Sequence, residues 1–247
     1  VANQGPQPQH GVVWGTPPNA HSVVVVGDLH GLAGALEDIL DQTRFTGCTM
    51  VFVGDYIDRG PDGDKVLQAI YSLSTNPSAH GYGQVVALRG NHEDMVLRAR
   101  RDPSWRAWWE ANGGHRKDWD WLCDHKAWDW LEGLPLLYQH PQHILFQGGR
   151  RRLIVSHATI NYQHSLEEQV EQDLLWKRHV SGYGHHSLCV HGHTVQPGGV
   201  PTLQNTSTGP VLMIDTGSSK TGIVTGVSFP EAICSPDGDH QPMVDIS

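Results

Sequence analysis

An α/β layered fold is the class this sequence predicts, and three observations carry the prediction. Seven short runs rich in Val and Ile punctuate the chain at residues 23–26, 50–53, 85–88, 153–155, 188–190, 211–214 and 223–227, the size and composition of buried strands. Between the early runs the apolar residues recur at helical spacing instead, which gives strand–helix–strand units. Five of the runs are followed at once by Asp, Asn or His, so polar chemistry gathers at one end of the strands.

In chain order, residues 1–20 are rich in Pro, Gly and Gln without apolar period and read as a flexible arm that becomes ordered near Trp14. From residue 21 to 247 a single domain is expected. Leu32, Leu36, Ile39 and Leu40 share one helical face after the first run, and Val66, Leu67, Ile70 and Tyr71 share another after the second. Residues 95–131 read as a helical insertion, broken at Gly113-Gly114 and crowded with Trp105, Trp108, Trp109, Trp119, Trp121, Trp128 and Trp130. Those tryptophans suit core packing, or alternatively the wall of a lid over a pocket.

Composition removes several functional classes. Across 247 residues, 38% are hydrophobic and 17% charged, enough to bury a core and too ordered a composition for wholesale disorder. Lys and Arg number 17 against 26 Asp and Glu, a net charge of −9, and no basic run supplies the field that nucleic acid or an anionic membrane requires. No apolar stretch approaches the roughly 20 residues that span a bilayer. Four cysteines without a C-x-x-C pair point to reduced thiols, and with no charged-then-apolar leader at the start the cytoplasm is the expected compartment. A monomer is the default expectation.

The sequence is rich in histidine, with 17, and their spacing gives the excess meaning. The first run leads into Gly27-Asp28-Leu29-His30-Gly31, and the second into Gly54-Asp55-Tyr56-Ile57-Asp58-Arg59-Gly60. The third leads into Arg89-Gly90-Asn91-His92-Glu93, the fourth into Ser156-His157 and the fifth into His191-Gly192-His193-Thr194. Carboxylate oxygen with imidazole nitrogen and no thiolate suits Mn, Fe, Zn or Ni rather than a structural zinc knot. Asp28 and His30 are two apart, so on an extended segment both side chains point the same way. If Asp55 is shared, the donors Asp28, His30, Asp55, Asn91, His157 and His193 suffice for two divalent ions about 3.5–4 Å apart, a spacing that clamps a phosphoryl group.

In that order, G-D-x-H-G, G-D-x-x-D-R-G and G-N-H-E resemble the phosphoprotein phosphatases among the calcineurin-like metallophosphoesterases. Asn112-Gly113-Gly114, Leu134-Pro135-Leu136, Ser156-His157-Ala158, Leu175-Trp176-Lys177-Arg178, Gly192-His193-Thr194 and Ile214-Asp215-Thr216-Gly217 add a likeness to the compact bacterial and phage branch, and the similarity covers roughly residues 21–229. The resemblance implies two packed mixed sheets flanked by helices, with the metals at one sheet edge and the Trp-rich segment over or beside it. It implies that Asp28, His30 and Asp55 hold one ion, and that Asp55, Asn91, His157 and His193 hold the other, with Mn favoured over Fe, Zn or a mixed pair. His92 then protonates the leaving alkoxide with Asp58 holding its imidazole, Arg59 and Arg178 grip the phosphate, and Arg89 assists less directly. His191 falls to a supporting or packing role.

The activity so implied is hydrolysis of phosphoserine and phosphothreonine in proteins, extending to phosphotyrosine, by direct attack of a metal-bridging hydroxide without a phosphoenzyme. Its partners are a phosphorylated protein or a small phosphoester. The absence of a C-x₅-R loop agrees, since a cysteine-nucleophile phosphatase needs one. Dinucleoside polyphosphate hydrolases share most of the motifs, but typically lack the equivalent of Asp58 and carry G-N-H-D where this chain has Glu93. A non-catalytic phosphoprotein-binding scaffold would be expected to lack a ligand or the acid, and none is missing.

Overall fold

The computed structural model describes residues 10–232 of the chain. Strand β1 (Gly11–Gly15) precedes β2 (Ser22–Val26), helix α1 (Ala33–Thr43), β3 (Thr49–Phe52), α2 (Gly63–Thr75) and β4 (Gln84–Ala87). Helices α3 (Asn91–Arg101), α4 (Ser104–Ala111), α5 (Arg116–Asp124) and α6 (Trp128–Glu132) follow in succession. Then come β5 (Leu137–Phe146), β6 (Gly149–Ser156), α7 (Glu171–Trp176), β7 (Ser187–His191), β8 (Thr202–Thr206), β9 (Gly209–Met213) and β10 (Val224–Pro230). They form two five-stranded mixed sheets, ordered β1-β10-β2-β3-β4 and β5-β6-β7-β9-β8. Strands β2, β3 and β4 run parallel in the first, as do β6, β7 and β9 in the second.

Strand alternation explains the layering. Val23 and Val25 of β2 turn to the second sheet and pack with Leu153, Val155, Leu188 and Val190, while Val24 and Val26 turn outward with Met50 and Phe52. Leu36 and Ile39 of α1 and Val66, Leu67 and Ile70 of α2 cover that outer face. A strand covered on both faces has no polar side to show, which is why β2 reads as an unbroken valine run. Each such side chain contributes about 1.5–3 kcal/mol by leaving water.

All seven apolar runs fall on strands, and the strands that none of the seven marks are β1, β5 and β8. Each is the edge of a sheet; β1 and β5 carry only apolar triplets, Val12-Val13-Trp14 and Ile144-Leu145-Phe146, beside half-solvated residues such as Gln139 and His143, and β8 carries Gln204 and Asn205. The arm expected over residues 1–20 therefore needs correction, because Gly11–Gly15 is strand β1, parallel to β10. Side chains of α1 hold it there: Asp38 accepts the backbone N–H groups of His10 and Gly11 at 2.7 and 3.1 Å, and Gln42 donates to the Gly11 carbonyl at 2.9 Å. Residues 1–9 of that arm and residues 233–247 of the tail lie outside the described residues.

The Trp-rich segment packs onto α2 and the outer face of the first sheet. Trp109, Trp121 and Trp128 are buried in that core, with Trp105, Trp119 and Trp130 partly buried against it. Core packing thus accounts for most of these rings. Among the described residues no helix is long and apolar enough to cross a membrane.

Candidate metal centre

Loops at the C-terminal ends of β2, β3, β4, β6 and β7 bring Asp28, His30, Asp55, Asn91, His92, His157 and His193 together, each no more than 6% exposed. Asp55 lies centrally. Its Oδ2 is 3.5 Å from His30 Nε2 and 3.9 Å from His92 Nε2, and its Oδ1 is 3.3 Å from His157 Nε2. Two groups of donor atoms result, His30–Asp55–His92 and Asp55–His157–His193, each within 4.8 Å and sharing Asp55.

The backbone is bent to achieve this. His30, Asp55, Asp58, Arg59 and His193 all have positive φ, from 41° to 68°, a conformation that costs a non-glycine residue about 1–3 kcal/mol and persists where surroundings impose it. Strand alternation therefore does not align Asp28 with His30, because His30 at φ 41° is not extended. Instead the N–H groups of Leu29 and His30 both donate to the Asp55 carbonyl, tying the first loop to the second. Asp28 accepts the His193 N–H through both oxygens, at 3.1 and 3.2 Å, in a space that only a glycine at 192 leaves open.

Hydrogen bonds at the back of the rings set where the lone pairs point. His157 Nδ1 donates outward to the Val53 carbonyl at 3.0 Å, and His193 Nε2 donates to that of Trp176 at 3.2 Å. The inward nitrogens, His157 Nε2 and His193 Nδ1, then present lone pairs at 2.9 and 2.8 Å from Asn91 Oδ1. Four acceptors, counting Asp55 Oδ1, converge with no proton to share among them, an arrangement that a cation satisfies. His30 follows the same logic, donating from Nδ1 to the Ile57 carbonyl while Arg59 Nη1 donates to its Nε2 at 2.8 Å.

Electrostatics agree with a site made for positive ions. Burial above all pushes His30 and His193 down to about 3, and lowers His157 as well, so the imidazoles are neutral and ready as ligands. Burial alone would raise Asp55, but His157, His92 and His30 around it hold it well below the carboxylate range. Asp28 is pushed well above that range by burial, then by Asp215 and Asp55, the mark of carboxylates crowded together out of water.

His92 stands apart from this set. Its Nδ1 lies 2.6 Å from Asp58 Oδ2 and its Nε2 faces the cluster. Burial lowers His92 to about 4 and raises Asp58 well above its usual range, as expected for two ionisable groups taken out of water together.

The arginines divide. Arg59 reaches from the surface to His30, and Arg178 Nη1 donates to the His193 carbonyl at 2.9 Å, which places both at the rim. Arg89 turns to Glu171, with Nη2 donating at 2.7 Å, rather than joining the cluster. His191 is fully buried, its Nδ1 2.9 Å from Ser156 Oγ, in keeping with a supporting role.

Three residues of the site were not assigned roles from the sequence. Asp215 follows β9 just as the other donors follow their strands, and that same pattern after residues 211–214 could have marked it. Glu93 anchors the Asp55 loop, a backbone role that its place in G-N-H-E does not reveal. Trp109 reaches Asp58 with its indole N–H, at 2.9 and 3.1 Å from the two carboxylate oxygens, and no local pattern separates it from its six neighbours in the insertion.

Comparison with known proteins agrees with this geometry. The family model for calcineurin-like phosphoesterases matches residues 21–203. Serine/threonine-protein phosphatase 2 of Escherichia coli (strain K12) is 32% identical over 168 residues, covering 64% of this chain and 70% of that protein. The asymmetrical bis(5'-nucleosyl)-tetraphosphatase PrpE of Oceanobacillus iheyensis is 24% identical over 254 residues, covering 89% of this chain and 93% of its own. A crystal structure provisionally assigned as a diadenosine tetraphosphatase superposes with a TM-score of 0.58 at 19% identity, over 88% of this chain and 93% of that one, and shows a shared fold.

Proposed function

The chain belongs to the calcineurin-like phosphoesterases, and on that premise we propose that it is a metal-dependent phosphomonoesterase acting on phosphoserine and phosphothreonine in proteins. The observation that carries this reading is the His92–Asp58 pair, joined at 2.6 Å beside a centre of converging metal donors. An alkoxide is a poor leaving group, so a placed acid contributes about 10²–10⁴-fold to its departure.

Asp28, His30 and Asp55 would hold one divalent ion, and Asp55, Asn91, His157 and His193 the other. When bound, such ions polarise a phosphoryl oxygen and lower the pKa of a water molecule. The remaining steps belong to the chain. Arg59 and Arg178 bind phosphoryl oxygens through forked N–H donors and neutralise charge that grows in the transition state. Arg89, paired with Glu171, acts from further out. His92 Nε2 gives its proton to the departing oxygen, while Asp58 keeps the ring aimed through Nδ1. None of Cys48, Cys123 or Cys189 takes part in this site, and no covalent phosphoenzyme is required.

A second reading, dinucleoside polyphosphate hydrolysis, is favoured by the length of the match to the tetraphosphatase relative. Mn²⁺-dependent turnover of a phosphothreonine peptide and of diadenosine tetraphosphate, run in parallel, separates the two. Faster peptide turnover abolished by chelator is expected. Preference for the dinucleotide would overturn the protein-phosphatase reading.

A further inference from the structure

We infer that Trp109 is a positioning residue for the His92–Asp58 pair, so that the Trp-rich helical segment takes part in proton delivery as well as in packing. The inference rests on the reading of His92 as general acid. Asp58 is fully buried, and burying a carboxylate demands partners. One oxygen is 2.6 Å from His92 Nδ1, and the Trp109 indole N–H donates to the same carboxylate at 2.9 Å from Oδ1 and 3.1 Å from Oδ2. Indole offers a donor and no acceptor, so it binds a carboxylate without competing for the imidazole. With both partners in place the carboxylate has one orientation, and so has the ring it holds.

The rest of the segment is built around that contact. Trp109 is fully buried in the core that covers the outer face of the first sheet, with the Trp119 ring centroid 5.9 Å away. Immediately after α4, a Cβ on Gly114 would come within 2.4 Å of the Trp109 ring, so the glycine break lets the backbone fold over the indole. The same break supplies the Gly113 carbonyl, which accepts the Arg59 N–H at 2.8 Å, and Asp118 of α5 accepts the Asp58 N–H at 3.3 Å. Asp58 and Arg59 are consecutive residues at φ 68° and 67°, a strained pair that the segment grips at both backbones and at one side chain.

The test compares wild type, Trp109→Phe and His92→Ala on two substrates that differ in their need for an acid. A phosphothreonine peptide leaves an alkoxide, and p-nitrophenyl phosphate leaves a stable phenolate. Trp109→Phe should lower kcat on the peptide tenfold or more with KM within twofold, and lower kcat on the aryl ester by at most threefold. His92→Ala should move the peptide-to-aryl ratio the same way and further. Equal loss on both substrates, or loss on neither, would overturn the positioning role. If Trp109→Phe does not fold, benzothienylalanine at position 109 exchanges only the N–H for sulfur and makes the same comparison. A second readout needs no turnover: in metal-free protein labelled with ¹⁵N-histidine, the proton in the His92–Asp58 hydrogen bond should shift or broaden in the variant. An unchanged signal counts against the inference. If wild type hydrolyses neither substrate with Mn²⁺, the proposed function fails, and this signal still decides whether Trp109 positions the pair.

Discussion

Glu93 holds Asp55 by its backbone. The Glu93 Oε2 accepts the N–H groups of Asp55 and Gly90, each at 2.8 Å, and Oε1 accepts that of Tyr56 at 2.8 Å. Asp55, the carboxylate shared by both donor groups, sits at φ 54°, so the central residue of the site depends on a neighbour that contributes no donor atom to it.

Glu93→Ala should therefore damage the fold and the site together. It would leave three buried N–H groups without acceptors at about 1–3 kcal/mol each, a loss of several kcal/mol in urea unfolding of metal-free protein. Glu93→Gln keeps one oxygen for two of the three and should lose less. A loss below about 1 kcal/mol for the alanine variant would show that the loop stands without this anchor.

Gly192→Ala probes a side chain instead. A Cβ there would fall 2.1 Å from Asp28 Oδ1 and 2.7 Å from Val53 Cγ2, so the carboxylate must move and the valine must give way beside it. The variant should fold and bind Mn²⁺ at least tenfold more weakly by calorimetric titration. Wild-type affinity would mean that Asp28 is not a ligand.

Asp118 gives a pH dependence. Burial pushes its carboxyl up to about 6, against an ordinary 3.8 in the unfolded chain. A raised carboxyl makes the folded state the stronger proton binder. The stability it contributes is complete below about pH 4 and is lost as pH rises through about 6. Asp118→Asn keeps an acceptor for the Asp58 N–H and removes the buried charge. In metal-free protein it should be more stable than wild type at pH 7.5, by up to ~3 kcal/mol, with the difference shrinking toward pH 4. A difference that does not change with pH would contradict this account.

Much of this was legible in the residues. Val23 to Val26 announce a strand buried on both faces, and the Asp, Asn and His residues after five such runs mark one sheet end, because both signals are local. What stayed hidden depends on partners distant in sequence. Strand β1 needs Asp38 and Gln42 of α1 to hold it, and its short apolar triplet, Val12-Val13-Trp14, sits between glycines in a Pro- and Gln-rich stretch. The Trp109 contact spans 51 residues, and nothing near Trp109 distinguishes it from Trp108, which is 40% exposed. The resemblance gives Arg89 a less direct part in holding phosphate, and its pairing with Glu171, 82 residues away, is a contact that no local pattern announces.

The central claim is that hydrolysis depends on two divalent ions gathered around Asp55. Its most direct measurement is a titration of chelator-stripped protein with Mn²⁺, following bound metal and phosphate release from a phosphothreonine peptide together. Wild type should be inactive when stripped, bind two ions per chain and gain activity as they bind, and Asp55→Asn should lose both ions and the activity. Turnover that survives stripping, or an Asp55→Asn variant that still binds two ions, would contradict the account.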